Sequence, residues 1–180
     1  MKNLCFRPSL FSAALVLSSI FLNGCASQPP SVELSKALGG RFLVLDSSGD
    51  RVGTQQIELS LHGQSGTVAI QGDAAAAREM ALTRCTVLNS GTVDALSWKS
   101  SFLGGKEADV IRCSVSGPGL AQHFAIARAE SGALEYHPPM LARMQSGVKD
   151  IRSNDGWLVF LWSGVGTTAY AVNKQSASSH

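Results

Sequence analysis

Seven Ser-Gly dipeptides punctuate this chain, with glycines at positions 49, 66, 91, 117, 132, 147 and 164, spaced 15 to 26 residues apart. Glycine accepts positive φ without a steric penalty, and serine bonds readily to its neighbouring backbone, so each pair is a turn signal. Breaks at that interval leave room for short strands and little room for long helices. The residues between them suit β structure. RFLVL at 41–45 runs into DSSGD, a hairpin-like turn. Ile57, Leu59 and Leu61 alternate with Glu58, Ser60 and His62. Val68 and Ile70 repeat the alternation after the next turn, as do Ile111, Cys113 and Val115, and then Phe124 and Ile126. A period of two sends one face inward and the other to solvent. The reading is a mainly β domain, an antiparallel sandwich or small barrel with one or two short helices.

Two stretches depart from the strand pattern. GDAAAAREMALTRC offers Asp73 as an N-cap, a run of alanines and an apolar grouping of Ala77, Met80 and Ala81, which predicts a short helix. HPPMLARMQSG places Pro139 at a helix N1 position and Gly147 at its stop, which predicts a second. WLVFLW at 157–162 follows the turn signal Asn154-Asp155-Gly156 and is apolar at every position. Trp157, Val159 and Leu161 share one face; Leu158, Phe160 and Trp162 share the other. Such a strand is buried on both sides, or one face waits for a partner, which makes Trp157, Phe160 and Trp162 the candidate partner contacts. Residues 167–172 are its expected hairpin mate.

The N-terminus has a different character. Lys2 and Arg7 precede residues 10–22, thirteen mostly apolar positions. A bilayer-spanning helix needs about 20, so this run fits the apolar region of a secretory signal. It closes on Leu22-Asn23-Gly24-Cys25, which resembles the lipobox of bacterial lipoproteins. The resemblance covers the first 25 residues. It implies cleavage before Cys25, diacylation of that sulfur by palmitate-type chains and further acylation of the new N-terminus. Ala26 is not the aspartate that resembles an inner-membrane retention signal, so the implied location is the outer membrane, lipid-anchored and facing the periplasm. Each buried methylene adds about 0.8 kcal/mol to membrane binding, so two or three chains anchor durably. The implied domain map is a signal over 1–24, a lipidated cysteine and tether over 25–39, one β-rich domain over 40–172 and a polar tail over 173–180. The fourteen residues at 26–39, broken by Pro29-Pro30, would reach about 40 Å at roughly 3.1 Å per extended residue.

Loss of the signal removes Lys2 and Arg7, so 15 basic and 13 acidic side chains become 13 of each. No basic surplus remains to hold phosphates, which argues against nucleic acid as a partner. Of four cysteines, Cys5 leaves with the signal and Cys25 takes lipid. Cys85 and Cys113 remain, in an oxidising compartment where two thiols usually pair. Closing that 29-residue loop is worth about 3.6 kcal/mol on the chain-entropy model. No CxxC, HxxxH or HExxH spacing accompanies either thiol, so no metal or cofactor is expected.

Catalytic motifs are not evident. His62 and His123 have outward parity, and His137 precedes two prolines as a bend residue. Ser65 in GQSGT misses the GxSxG spacing. Gly164-Val165-Gly166 lacks the rest of a phosphate loop. Asp46, Ser48 and Asp50 supply too few ligands for calcium and fit turn capping. Three function classes follow. A non-catalytic binding or scaffolding accessory of the cell envelope, with a membrane anchor and an envelope protein partner, is favoured. An inhibitor or immunity protein against a periplasmic hydrolase is the alternative, and a cell-wall enzyme is the third.

Overall fold

The computed structural model describes residues 28–46, 50–72, 75–88, 108–116, 121–130, 132–138, 150–163 and 166–176. They form an eight-stranded closed antiparallel barrel with one short helix and a separate hairpin. The helix is α1 (Val32–Leu38). The strands are β1 (Gly40–Leu45), β2 (Arg51–His62), β3 (Ser65–Gly72), β4 (Ala75–Val87), β5 (Ala108–Ser116), β6 (His123–Ala129), β7 (Leu134–Tyr136), β8 (Ile151–Ser153), β9 (Trp157–Ser163) and β10 (Gly166–Lys174). β1 to β6 follow one another around the wall, β9 pairs with β6, and β10 closes the ring against β1. β7 and β8 pair only with each other.

Period-two alternation drives this architecture. Phe42, Val44, Ile57, Leu59, Val68 and Leu82 point inward from β1 to β4, and Ile111, Phe124, Ile126, Val159 and Val172 meet them from the other wall. Outward positions on the same strands carry Arg41, Glu58 and Glu79. A membrane-spanning barrel has the reverse pattern, apolar outside and polar within. Between Thr83 and Thr86 the β4–β5 register shifts, and Arg84 takes φ 51°. The added residue explains why the inward series steps from Leu82 to Cys85 rather than to position 84. Cys85 and Cys113 are joined by a disulfide between β4 and β5, with both side chains buried.

The alanine-rich stretch is therefore a strand and not the expected helix, and the Asp73 cap lies outside the described residues. Its alanines favour a helix by only tenths of a kcal/mol each. Against that, β3 and β5 each offer an open edge, and Met80 and Leu82 fill the interior only from an extended backbone. The second expected helix, from 139 to 147, lies outside the described residues. The segment expected to be a tether is also ordered from Gln28 onward. The Gln28 carbonyl accepts from the Val87 N–H at 2.9 Å, Pro30 is buried, and Ser31 caps α1 by accepting from the Leu34 N–H at 3.1 Å. Leu34 and Leu38, one turn apart, pack onto the barrel core. At the other end, Asn173 and Lys174 belong to β10 rather than to a tail.

β9 is covered on both faces. Trp157 and Val159 lie in the barrel interior, while Leu158 and Phe160 face outward under β7. Tyr136 of β7 meets the Phe160 ring edge-on at 5.5 Å. Alanines at 125, 127, 169 and 171 line the same outer wall and let the hairpin approach closely. The turn into β9 uses Gly156 at φ 72°, where a Cβ would sit 2.7 Å from the Gly132 carbonyl oxygen. β10 is the hairpin mate read for residues 167–172.

Candidate functional site

α1 crosses the end of the barrel where β1, β3, β5 and β9 begin and β2, β4, β6 and β10 finish. Lys174 fastens it there. Its Nζ donates to the Ala37 carbonyl at 2.6 Å, in the last turn of the helix, where a cation complements the exposed carbonyls. The same ammonium lies 5.4 Å from the Trp157 ring and 5.9 Å from the Phe42 ring, and Arg128 stacks on Trp157 at 5.3 Å. Burial, and then the neighbouring Arg128 charge, lower the Lys174 pKa from its ordinary value.

Between α1 and the final residues of β2 a groove of about 560 Å³ remains. Val32, Ser35 and Lys36 form one wall, and Leu59 to Gly63 form the other. The volume falls in the range of about 300–1,000 Å³ used for small-molecule sites. Its lining is apolar with a few polar groups. Ser60 and His62, two apart on the outer face of β2, bring Oγ and Nε2 to 3.0 Å. Glu58, the nearest carboxylate along that face, engages Arg41 at 3.4 Å instead. Ser35 is 3% exposed, and its hydroxyl has no hydrogen-bond partner among the described residues. Val32, by contrast, is 82% exposed on the groove's rim. A buried hydroxyl without a partner costs about 1–3 kcal/mol.

The residues singled out from the sequence are scattered. Cys25 lies outside the described residues. Trp157 and Phe160 are buried, one in the lumen and one beneath β7, so neither presents a contact surface; Trp162 stays half-exposed. It sits at the far end of the barrel, 5.6 Å from the His123 ring. His137 approaches the carboxylates of Glu135 and Asp150 at 3.6 and 3.2 Å on the β7–β8 hairpin. Asp46 and Asp50 cap their own turn, with Asp50 N–H donating to the Asp46 carboxylate at 2.9 Å. Among the described residues no group of three His, Cys, Asp or Glu side chains is arranged to hold a metal.

The groove itself, built by Val32, Ser35, Lys36 and Ser60, is not evident from the sequence. A signal for it does exist in Ser31 followed by Leu34 and Leu38, a capped helical turn. The adjoining prolines and the polar composition obscure it. No family model matches the chain, and no match was found among curated proteins or among solved structures.

Proposed function

We propose that this protein is a lipid-anchored, periplasm-facing lipoprotein of the bacterial envelope, held in the outer membrane through Cys25. It acts as a non-catalytic binding or scaffolding accessory, and the α1–β2 groove is its binding site. The anchor rests on the resemblance of Leu22-Asn23-Gly24-Cys25 to a lipobox. One observation carries the binding site: an open groove of about 560 Å³ between α1 and β2 that brings the apolar Val32, Leu59 and Leu61 together with Lys36, Ser60 and His62. A ligand or surface seated there covers the apolar lining and meets the Lys36 ammonium and the polar groups of Ser60 and His62.

The test compares what co-purifies from detergent-solubilised envelope with the wild-type chain and with Val32→Asp. Val32 is exposed enough for that change to leave the melting temperature nearly unmoved. A component, protein or phospholipid, retained by wild type and lost by the variant supports the site; identical protein and phospholipid content refutes it. The anchor has its own test in Cys25→Ser, which should abolish lipid labelling and leave unprocessed precursor. Normal maturation of that variant would refute the lipobox reading.

A further inference from the structure

We propose that the partner of the groove is the phospholipid surface itself, so that the protein docks α1-end down on the membrane that holds it. This rests on the reading of Cys25 as the lipidated residue. The first argument is chain length. Gln28 is fixed to β4 by its bond from the Val87 N–H, and only Ala26 and Ser27 separate it from Cys25. Three Cα–Cα steps of about 3.8 Å span at most about 11 Å. The domain is therefore held against the headgroups rather than lifted clear of them.

The second argument is which end is held. Val87 lies two residues along β4 from Cys85, whose N–H donates to the Gln64 carbonyl at 3.0 Å. Gln64 adjoins Gly63, the last lining residue of the groove. The anchor thus enters beside the groove, at the α1 end of the barrel.

The third argument is chemistry. Val32 and Lys36 stand one helical turn apart, on the same side of α1, and both line the groove. An exposed apolar side chain beside a lysine suits the boundary between acyl chains and phosphates, where the methyl groups bury and the ammonium meets the anionic headgroup. His62 and Ser60 add hydrogen-bonding groups on the opposite wall. Val52, the other exposed large apolar residue described, lies at the far end, ten positions up β2 from His62. That is roughly 33 Å along the strand at about 3.3 Å per residue, or about 25 Å of height at a barrel tilt near 40°.

The experiment uses the full-length lipidated protein in vesicles of phosphatidylethanolamine and phosphatidylglycerol containing a bromine-bearing phospholipid. Single cysteines are introduced as Val32→Cys, Lys36→Cys or Val52→Cys and labelled with a small fluorophore. Cys85 and Cys113 are bonded and Cys25 is acylated, so each introduced thiol is labelled alone. Bromine should quench the probes at 32 and 36 several-fold more than the probe at 52. The two positions on α1 guard against a local effect of either substitution. Equal quenching at all three, in protein whose mass shows lipid on Cys25, would overturn the docking and leave the anchor standing. Mature protein without lipid on Cys25 would overturn both.

Discussion

Truncating the two tryptophans of β9 should produce very unequal losses. Trp157 faces the lumen, is 9% exposed, and packs at 5.4 Å against the Phe42 ring. Replacing a buried indole by alanine costs about 3–5 kcal/mol, because the barrel wall relaxes only partly into the space left behind. Arg128 and Lys174 lose the aromatic face they stack on, worth about 0.5–1 kcal/mol each at a partly solvated site. That places Trp157→Ala in the upper part of the range, about 4–5 kcal/mol. For a domain near 150 residues each kcal/mol moves Tm by about 2–4 °C, so the expected fall is about 8–20 °C. Trp162 closes the other end of β9, half-exposed beside His123. Its replacement should cost about 1 kcal/mol, or about 2–4 °C. Thermal melts followed by circular dichroism decide the matter. Equal losses for the two variants, or a Trp157→Ala fall no larger than that of Trp162→Ala, would refute the placement of Trp157 inside the barrel.

Two further outcomes are expected. A non-reduced digest should contain one linked pair of peptides carrying Cys85 and Cys113, and the double serine variant should lose up to about 3.6 kcal/mol, read as a lower melting midpoint in denaturant. Both tyrosines, Tyr136 and Tyr170, have their pKa raised above 10.0 by burial, which a hydrogen bond with Thr167 partly offsets at Tyr136. Above pH 10 the unfolded chain therefore releases phenol protons that the folded chain still holds. Stability contributed by these groups is complete below pH 10 and falls as pH rises through the folded values. Phenolate absorbance of the native protein should lag that of the protein in denaturant; coincident titrations would contradict the burial.

The strands were legible wherever one face is solvated. At β2, Ile57, Leu59 and Leu61 alternate with Glu58, Ser60 and His62, and the alternation alone states which residues fill the barrel. The expectation of a sandwich or barrel could not be narrowed to the closed ring, because the pairing of β1 with β10 joins residues about 130 positions apart with no local trace. β4 misled for the opposite reason. Its alanines carry a local preference that two neighbouring ladders override, and the bulge at Arg84 breaks the alternation that would have exposed it. α1 escaped notice because seven residues give too short a pattern to outweigh the prolines before it. With α1 went the groove, whose two walls come from segments that only the closed barrel brings together.

WLVFLW shows how an apolar run acquires its meaning from elsewhere in the chain. A strand apolar at every position has two physical solutions, a partner molecule on one face or a second layer from the same chain. The second layer here is the β7–β8 hairpin, whose strands are three residues each. So little chain suffices because the wall beneath is made of small residues: alanines at 125, 127, 169 and 171 leave space for Leu134 and Tyr136 to close over Leu158 and Phe160. Alanine on β6 and β10 is a weak strand former chosen against no solvent, so its presence there is explained by the layer it admits. With both faces of β9 occupied internally, the proposed contact moves off the strand that looked most like an interface. The proposal places it at Val32 instead, at the N-terminal end of a helix that begins seven residues after Cys25.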